Sequence, residues 1–261
     1  MKVKAIFFDI DGTLVSFDTH KIQPSTIQAI KEVRKKGIKT FIATGRPLNL
    51  IGELPGLEFD GYITLNGAYC ETDKQTEIYK NPIPKNDLNK AIEYLETDNN
   101  PFACAFMTKN EIVVNRIDEK VRTLSEMVNT PLPILTPLEM IKHKEVLQIN
   151  IFVNEEKEKY LMETVFTHCV ASRWNPLFAD VNSRENSKQT GIDKILTYYG
   201  LELSETMAFG DGGNDIPMLK HVATGIAMGN AGEKVKEAAD YITTTVDDNG
   251  IYNALKYFSI I

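Results

Sequence analysis

The sequence predicts an α/β protein: a Rossmann-like parallel-sheet core interrupted by an inserted α+β domain. Three observations predict it. The chain opens on a short apolar run, Val3 to Phe8, that reads as a strand buried on both faces and ends in Asp9-Ile10-Asp11-Gly12-Thr13-Leu14. Strand-like and helix-like segments then alternate, a pattern that calls for right-handed parallel crossovers. From Asn81-Pro82-Ile83-Pro84 the pattern changes to a helix followed by successive strands, and near Asn186 the first pattern resumes. The predicted division is a core of residues 1–82 and 185–261 around an insert of 83–184.

In order, Pro24 suits the first helical position, and Ile27, Ile30 and Val33 recur at helical spacing up to the basic, glycine-stopped end Lys35-Lys36-Gly37. Ile38 to Ala43 is the second strand, ending in Thr44-Gly45-Arg46-Pro47, where Pro47 is expected to open another helix. Gly61 to Leu65 is the third strand, ending in Asn66-Gly67. In the insert, Asp87 to Glu96, Asp118 to Val128 and Glu155 to Phe166 read as helices. Phe102 to Met107, Glu111 to Asn115, Val146 to Val153, Cys169 to Trp174 and Leu177 to Val181 read as strands. The closing part runs helix (Ser187 to Tyr199), strand (Thr206 to Phe209), the turn Gly210-Asp211-Gly212-Gly213-Asn214-Asp215, helix (Pro217 to His221), strand (Thr224 to Met228), helix (Ala231 to Ala238), strand (Tyr241 to Thr243) and helix (Gly250 to Phe258).

The bulk numbers fit an ordinary globular chain. There are 261 residues, 43% hydrophobic and 25% charged, with a net charge of -7. That charge argues against a nucleic-acid partner, which needs a basic face. No apolar run is long enough to span a bilayer, and Asp9 cuts the opening apolar run too early for a signal peptide. The three cysteines (Cys70, Cys104, Cys169) are scattered and odd in number, which suits a reducing cytoplasm. His20, His143, His168 and His221 have no ligand spacing, and Lys157 is expected on a solvated helix face. The oligomeric state stays open, with a monomer compatible.

Ligands of open α/β sheets gather at the carboxyl ends of the strands. Asp9 and Asp11, one residue apart at such an end, face one point that suits Mg²⁺. Thr44-Gly45 offers a hydroxyl and exposed amides for phosphate oxygens. Lys188, near a helix start, offers positive charge. The Gly210 to Asp215 turn allows close backbone approach, and Asp211 adds a further carboxylate. Each feature alone is also what a plain solvated turn looks like. Together they offer what a phosphate and a Mg²⁺ require.

These residues resemble, in order, the four motifs of the haloacid dehalogenase-like phosphohydrolases: Asp9-Ile10-Asp11-Gly12-Thr13-Leu14, Thr44-Gly45-Arg46, Lys188, and Gly210 to Asp215. The insert resembles the type-two cap of the Cof-like branch, as do Asn66-Gly67-Ala68 and Met228-Gly229-Asn230-Ala231. Asn186-Ser187-Lys188-Gln189 departs from the branch pattern in having Gln189 where glycine is usual. The resemblance implies a cytoplasmic, Mg²⁺-dependent phosphatase of small phosphorylated metabolites, sugar phosphates first. The rival readings are a phosphosugar mutase and a non-catalytic sensor of phosphorylated metabolites.

It implies Asp9 as the nucleophile that becomes an aspartyl-phosphate and Asp11 as general acid and base. Asp9, the Asp11 carbonyl and Asp211 would hold the metal, with Asp215 supporting them through water. Ile10 (by its amide), Thr44, Gly45, Lys188 and Asn214 would hold the phosphoryl oxygens. Arg46, Trp174, Asp180, Asn182 and Arg184 are the candidates for reading the leaving group.

Overall fold

A computed structural model describes residues 2–52, 54 and 56–261, apart from the side chain of Trp174. Strand β1 (Ala5–Phe8) is buried throughout because both of its faces are apolar. Ile6 and Phe8 enter one cluster with Ile30, Val33 and Phe209, while Ala5 and Phe7 enter another with Phe41, Ile192 and Met218. Helix α1 (Pro24–Lys35) begins on Pro24, and β2 (Lys39–Ala43) pairs parallel with β1. The helix expected after Pro47 is not found among the described residues, which hold only the 3₁₀ turn Leu48–Leu50 before β3 (Gly61–Thr64). Gly52 and Gly56, at φ of 73° and 72°, break this connection in the left-handed region.

Beyond β3 the chain doubles back. Strands β4 (Tyr69–Thr72) and β5 (Glu77–Lys80) extend the sheet antiparallel, an extension the sequence reading did not anticipate. There follow α2 (Lys85–Thr97), β6 (Cys104–Met107), β7 (Ile112–Val114), α3 (Glu119–Met127), β8 (Ile134–Leu135), α4 (Leu138–Ile141), β9 (Gln148–Ile151), α5 (Glu155–Thr164), β10 (Cys169–Asn175) and β11 (Phe178–Ser183). The last stretch is α6 (Lys188–Tyr199), β12 (Thr206–Gly210), α7 (Ile216–His221), β13 (Thr224–Ala227), α8 (Glu233–Lys236), β14 (Tyr241–Ile242) and α9 (Gly250–Tyr257).

Among the described residues these strands make two sheets. The core sheet has the order β14-β13-β12-β1-β2-β3-β4-β5, parallel from β14 to β3. The chain fills it outward from β1 in one direction, then from β12 in the other. The β1/β12 seam is therefore the switch point where such sheets place ligands. Because Phe8 pairs with Phe209, the residues after β1 and β12 leave the sheet side by side.

The cap sheet runs β10-β11-β9-β6-β7-β8. One face packs on α2 and α5 through Leu88, Ile92, Phe106, Ile149, Ile151 and Leu161. On β9 the residues alternating with Ile149 and Ile151 are Gln148 and Asn150, and Asp180 of β11 pairs with Asn150, so these three polar residues share the opposite face. Part of that face is covered where Val121 and Leu124 of α3 pack with Ala105, Phe152 and Phe178. Lys157, expected in solvent, bridges α5 to α2 through Tyr94 and Asp98. The two connections between the sheets are stitched by Asn81 and Asn186. Asn81 Nδ2 donates to Asn186 Oδ1 at 2.9 Å, and Asn186 Nδ2 returns a bond to the Asn81 carbonyl at 2.8 Å.

Asp60, just ahead of β3, ties three core elements together. It accepts from Arg34 of α1 at 2.6 Å and from the Thr40 amide and Lys39 of β2 at 3.0 and 3.1 Å. Burial opposes its ionisation, but the Thr40 amide, Lys39 and Arg34 hold its carboxyl below the usual range. Asp60→Ala is expected to lower the unfolding free energy by about 1–3 kcal/mol, because it strips the partner from a charged group and a strand amide. Urea unfolding followed by circular dichroism measures this, and an unchanged midpoint would refute it.

Candidate active site

The β1/β12 seam brings together residues roughly two hundred positions apart in the chain. Lys188, the first residue of α6, is fully buried. Ser187 caps that helix by accepting from the Thr190 amide at 3.1 Å, which fixes where Lys188 enters. Its ammonium donates to Asp9 Oδ1 at 2.6 Å and to Asp215 Oδ1 at 2.5 Å. The other Asp215 oxygen accepts the amides of Asp211 and Gly212 at 2.9 and 2.8 Å, so Asp215 shapes the loop that carries Asp211. Thr13 Oγ1 donates to Asp211 Oδ1 at 2.8 Å and ties that loop to the turn after β1. Gly12, at φ 81°, passes so close that an added Cβ would stand 2.2 Å from Asp211 Oδ2.

The balance of charge is unusual. Asp9, Asp211 and Asp215 each offer an oxygen within 4.8 Å of the others. Burial would lower Lys188, yet Asp215 and Asp9 more than offset this and raise it, so the ammonium stays charged. Burial, then the Asp215 charge, push Asp9 well above the usual carboxylate range against the pull of Lys188. The same two causes push Asp211 up to about 7. Asp11 is paired with Arg46, so four carboxylates meet two cations. Fully ionised, the set would carry two negative charges in excess at an all-oxygen cluster, and a hard divalent cation fits both that deficit and the donor type.

Asp11 is held by a two-pronged ion pair. Arg46 Nε and Nη2 donate to its two oxygens at 2.7 and 2.5 Å, and Arg46 Nη1 donates to the Leu50 carbonyl at 2.9 Å. Arg46, a candidate reader of the leaving group, is thus engaged with Asp11. The loop after β2 is stitched to the turn after β3: the Asn66 amide donates to the Thr44 carbonyl at 3.0 Å and the Leu65 amide to the Arg46 carbonyl at 3.1 Å. Ile10 buries its side chain in the core and offers its carbonyl to the Leu14 and Val15 amides at 2.9 and 2.8 Å.

A cavity of about 390 Å³ opens over these groups. Asp9, Asp11, Thr44, Gly45, Asp211 and Asn214 line its core side, and Gln148, Asn150 and Asp180 line the cap side together with apolar residues of α3. Lys188 and Asp215 lie beneath this surface, not on it. The other cap candidates are placed differently. Asn182 does not line the cavity: buried, it donates to the carbonyls of Leu65 and Leu147 at 3.0 and 3.3 Å. Arg184 is exposed and donates to the Thr167 carbonyl at 3.0 Å, away from the cavity. The Trp174 side chain lies outside the described residues.

Sequence reasoning did not assign Gln148 and Asn150. Nothing local marks them, except that they alternate with apolar residues on one strand. It noted Asn66-Gly67 without giving Asn66 a task. Asn66 Nδ2 donates to Gln148 Oε1 and Asp180 Oδ2, both at 3.0 Å, and Asn214 Nδ2 donates to Asn66 Oδ1 at 2.9 Å.

The model of the haloacid dehalogenase-like hydrolase family matches residues 6–255. The chain belongs to that family. Among solved structures, this hydrolase is similar to the subclass IIB sugar phosphatase BT4131, with a TM-score of 0.93 and 44% identity, covering 99% of this chain and 100% of that one. It is similar to BT1666 from Bacteroides thetaiotaomicron, a phosphatase of the same superfamily, with a TM-score of 0.91 and 44% identity over 100% of this chain and 96% of that one. YkrA of Bacillus subtilis, a phosphatase by name, is 34% identical over the whole of both chains.

A cation held at the aspartate cluster would compete with protons on Asp211 and Asp9, both raised by burial. Below a pKa of about 7 the protonated form of Asp211 dominates, so affinity falls as pH falls. Between about pH 8 and about pH 6 the association constant for Mg²⁺ is expected to drop about tenfold. Isothermal titration at the two pH values measures it, and Asp211→Asn should bind weakly at both. Equal affinity for the unaltered protein at both would refute the assignment.

Proposed function

We propose that this family phosphatase is a Mg²⁺-dependent phosphomonoesterase of small phosphorylated metabolites, sugar (hexose) phosphates first, working through an aspartyl-phosphate on Asp9. The observation that carries this is Asp9 at the floor of a cavity, one residue from Asp11, with the Lys188 ammonium 2.6 Å away. Lys188 fixes one carboxylate oxygen of Asp9 and offsets part of its charge. The reading assigns the phosphoryl group to Thr44, Gly45, Asn214 and the Ile10 amide, with Lys188 acting through Asp9 from below.

In the first step an Asp9 oxygen attacks phosphorus and the bond to the leaving oxygen breaks, while Asp11 gives that oxygen a proton. In the second step Asp11 takes a proton from water as the water attacks phosphorus, releasing phosphate and restoring Asp9. A protonated Asp11 carries its hydrogen on one of the two oxygens that accept from Arg46, so the acid step weakens that pair. Asp9 and Asp211, with the Asp11 carbonyl, would hold Mg²⁺ and Asp215 would support them through water; when bound, the ion supplies the positive charge that lets a carboxylate approach a phosphate dianion.

The sugar assignment rests on the likeness to the sugar phosphatase BT4131 and on the polar face that Gln148, Asn150 and Asp180 present to the cavity. We assign 1–82 and 185–261 to the catalytic core and 83–184 to a cap that reads the leaving group. Three free, buried cysteines accord with a cytoplasmic setting.

Phosphate release over a panel of phosphorylated metabolites, with Mg²⁺ or with chelator, tests the reading. Asp9→Asn is expected to lower turnover by at least about a thousandfold, on the scale of losing a covalent nucleophile, with an unchanged circular dichroism spectrum. Full turnover in that variant would overturn the nucleophile. Isomerised sugar phosphate in place of free phosphate would overturn the hydrolase in favour of a mutase.

A further inference from the structure

The turn after β3 is strained beyond what the sheet requires. Leu65, Asn66 and Gly67 follow one another at φ values of 52°, 53° and 90°. For a leucine this is an outlier, and such a stretch persists only where its surroundings hold it. The Thr44 and Arg46 carbonyls hold it from the core side, and the cap holds it from the other. Asn182 of β11 donates to the Leu65 carbonyl at 3.0 Å. Both N–H bonds of the Asn66 amide go to cap acceptors, Gln148 Oε1 and Asp180 Oδ2, at 3.0 Å each. Gln148 in turn donates to the Gly45 carbonyl at 3.3 Å.

The polarity of this chain of bonds is fixed from the cap. Asp180 Oδ2 and Gln148 Oε1 take both N–H groups of the Asn66 side chain, so its nitrogen faces the cap. The Asn66 oxygen then faces the loop after β12, and the nitrogen of Asn214 must turn to meet it, as it does at 2.9 Å. The junction lies directly on the loop after β2: a Cβ added at Gly45 would stand 3.2 Å from Asn66 Oδ1 and 3.5 Å from Asp180 Oδ2. Asn66, Gln148, Asp180 and Asn182 are all buried, so water is a poor substitute for any of these bonds.

We propose that Asn66 is a positioning residue that couples seating of the cap to the orientation of Asn214 at the phosphoryl site. Seating of Asp180 and Gln148 and ordering of Asn214 then form one equilibrium. A phosphate held at the core stabilises the seated cap, and an unseated cap leaves Asn214 unoriented. The kinetic arm of the test rests on the phosphatase reading, and the exchange arm does not.

Asn66→Asp keeps the size of the side chain and its tolerance of the left-handed region, but sets a carboxylate against Asp180. In ligand-free protein, backbone hydrogen exchange in β9, β11 and residues 65–68 is expected to speed up by about tenfold or more as the seated fraction falls. Asn66→Asp/Asp180→Asn restores a donor–acceptor pair of reversed polarity and is expected to return exchange to within about threefold of the unaltered protein. With Mg²⁺ and inorganic phosphate, the unaltered protein should slow exchange in β9 and β11 by at least about threefold, and Asn66→Asp should lose this response. For hexose phosphates, Asn66→Asp should raise KM about tenfold with a smaller change in kcat.

Exchange in Asn66→Asp equal to that of the unaltered protein, or no recovery in the double variant, overturns the coupling. If Asn66→Asp fails to fold, the phosphate response of the unaltered protein decides alone, and its absence with phosphate bound overturns the proposal. Absence of hydrolysis of any ester, with the exchange results as expected, would overturn the phosphatase reading and leave the coupling standing.

Discussion

The structure turns on one buried ammonium. Removing Lys188 and two carboxylates from water costs several kcal/mol per ion, and the cost is recovered only where geometry is tight and the remaining polar sites are filled. Here both conditions hold. Lys188 meets Asp9 and Asp215 at 2.6 and 2.5 Å, and the free edge of Asp215 is closed by two backbone amides of its own loop. Each of these requires a distant part of the chain to be in place: β1 for Asp9, the loop after β12 for Asp215, and the Ser187-capped start of α6 for Lys188. The parallel pairing of Phe8 with Phe209 is what brings the first two together. A break in that register would leave the ammonium and the carboxylates buried without one another.

The core and its chemical groups were legible because each is announced locally. A buried-type strand shows as an apolar run, and carboxylates at its end show as a break in that run, so Asp9, Asp11, Asp211 and Asp215 stand out. The crossover after β2 misled for an equally local reason: Pro47 suggests a helix start, while Gly52 and Gly56 take up backbone that a helix excludes. Contacts between distant residues left no such mark. Nothing about Arg46 says that both oxygens of Asp11 will occupy it, and nothing about Asn182 says that it will face the Leu65 carbonyl instead of a ligand. Gln148 and Asn150 carry a faint signal in the two-residue period of β9, where Ile149 and Ile151 claim one face and leave polar residues on the other.

That two-faced cap sheet explains how the insert meets the core. Its apolar face is covered by α2 and α5, so it has no need of the core for burial. The opposite face carries amides and a carboxylate, which require partners of matching polarity. The core supplies them from the strained turn at Leu65–Gly67 and from the carbonyl of Gly45, which lines the cavity. The cap is therefore seated by directional bonds beside one apolar cluster, in which Leu65, Ala68 and Tyr69 of the core meet Met107 and Leu147 of the insert.

For the proposed reaction, the electrostatics would impose an order. A phosphate dianion entering beside Asp9 and Asp211 meets like charge. At about 4 Å and an effective dielectric of about 20, each pair of unit charges repels by about 4 kcal/mol. Lys188 is already shared between Asp9 and Asp215, and Arg46 is committed to Asp11, so neither cation stands ready for the incoming charge. On the proposed function, cation binding at this cluster would therefore precede phosphate entry. Two of the groups proposed to hold phosphate also connect to the cap: Gly45 accepts from Gln148 through its carbonyl, and Asn214 donates to Asn66, which donates to Gln148 and Asp180. On that proposal, charge neutralisation at the floor would admit the phosphate, and hydrogen bonding at the rim would then tie it to the cap that faces the alcohol.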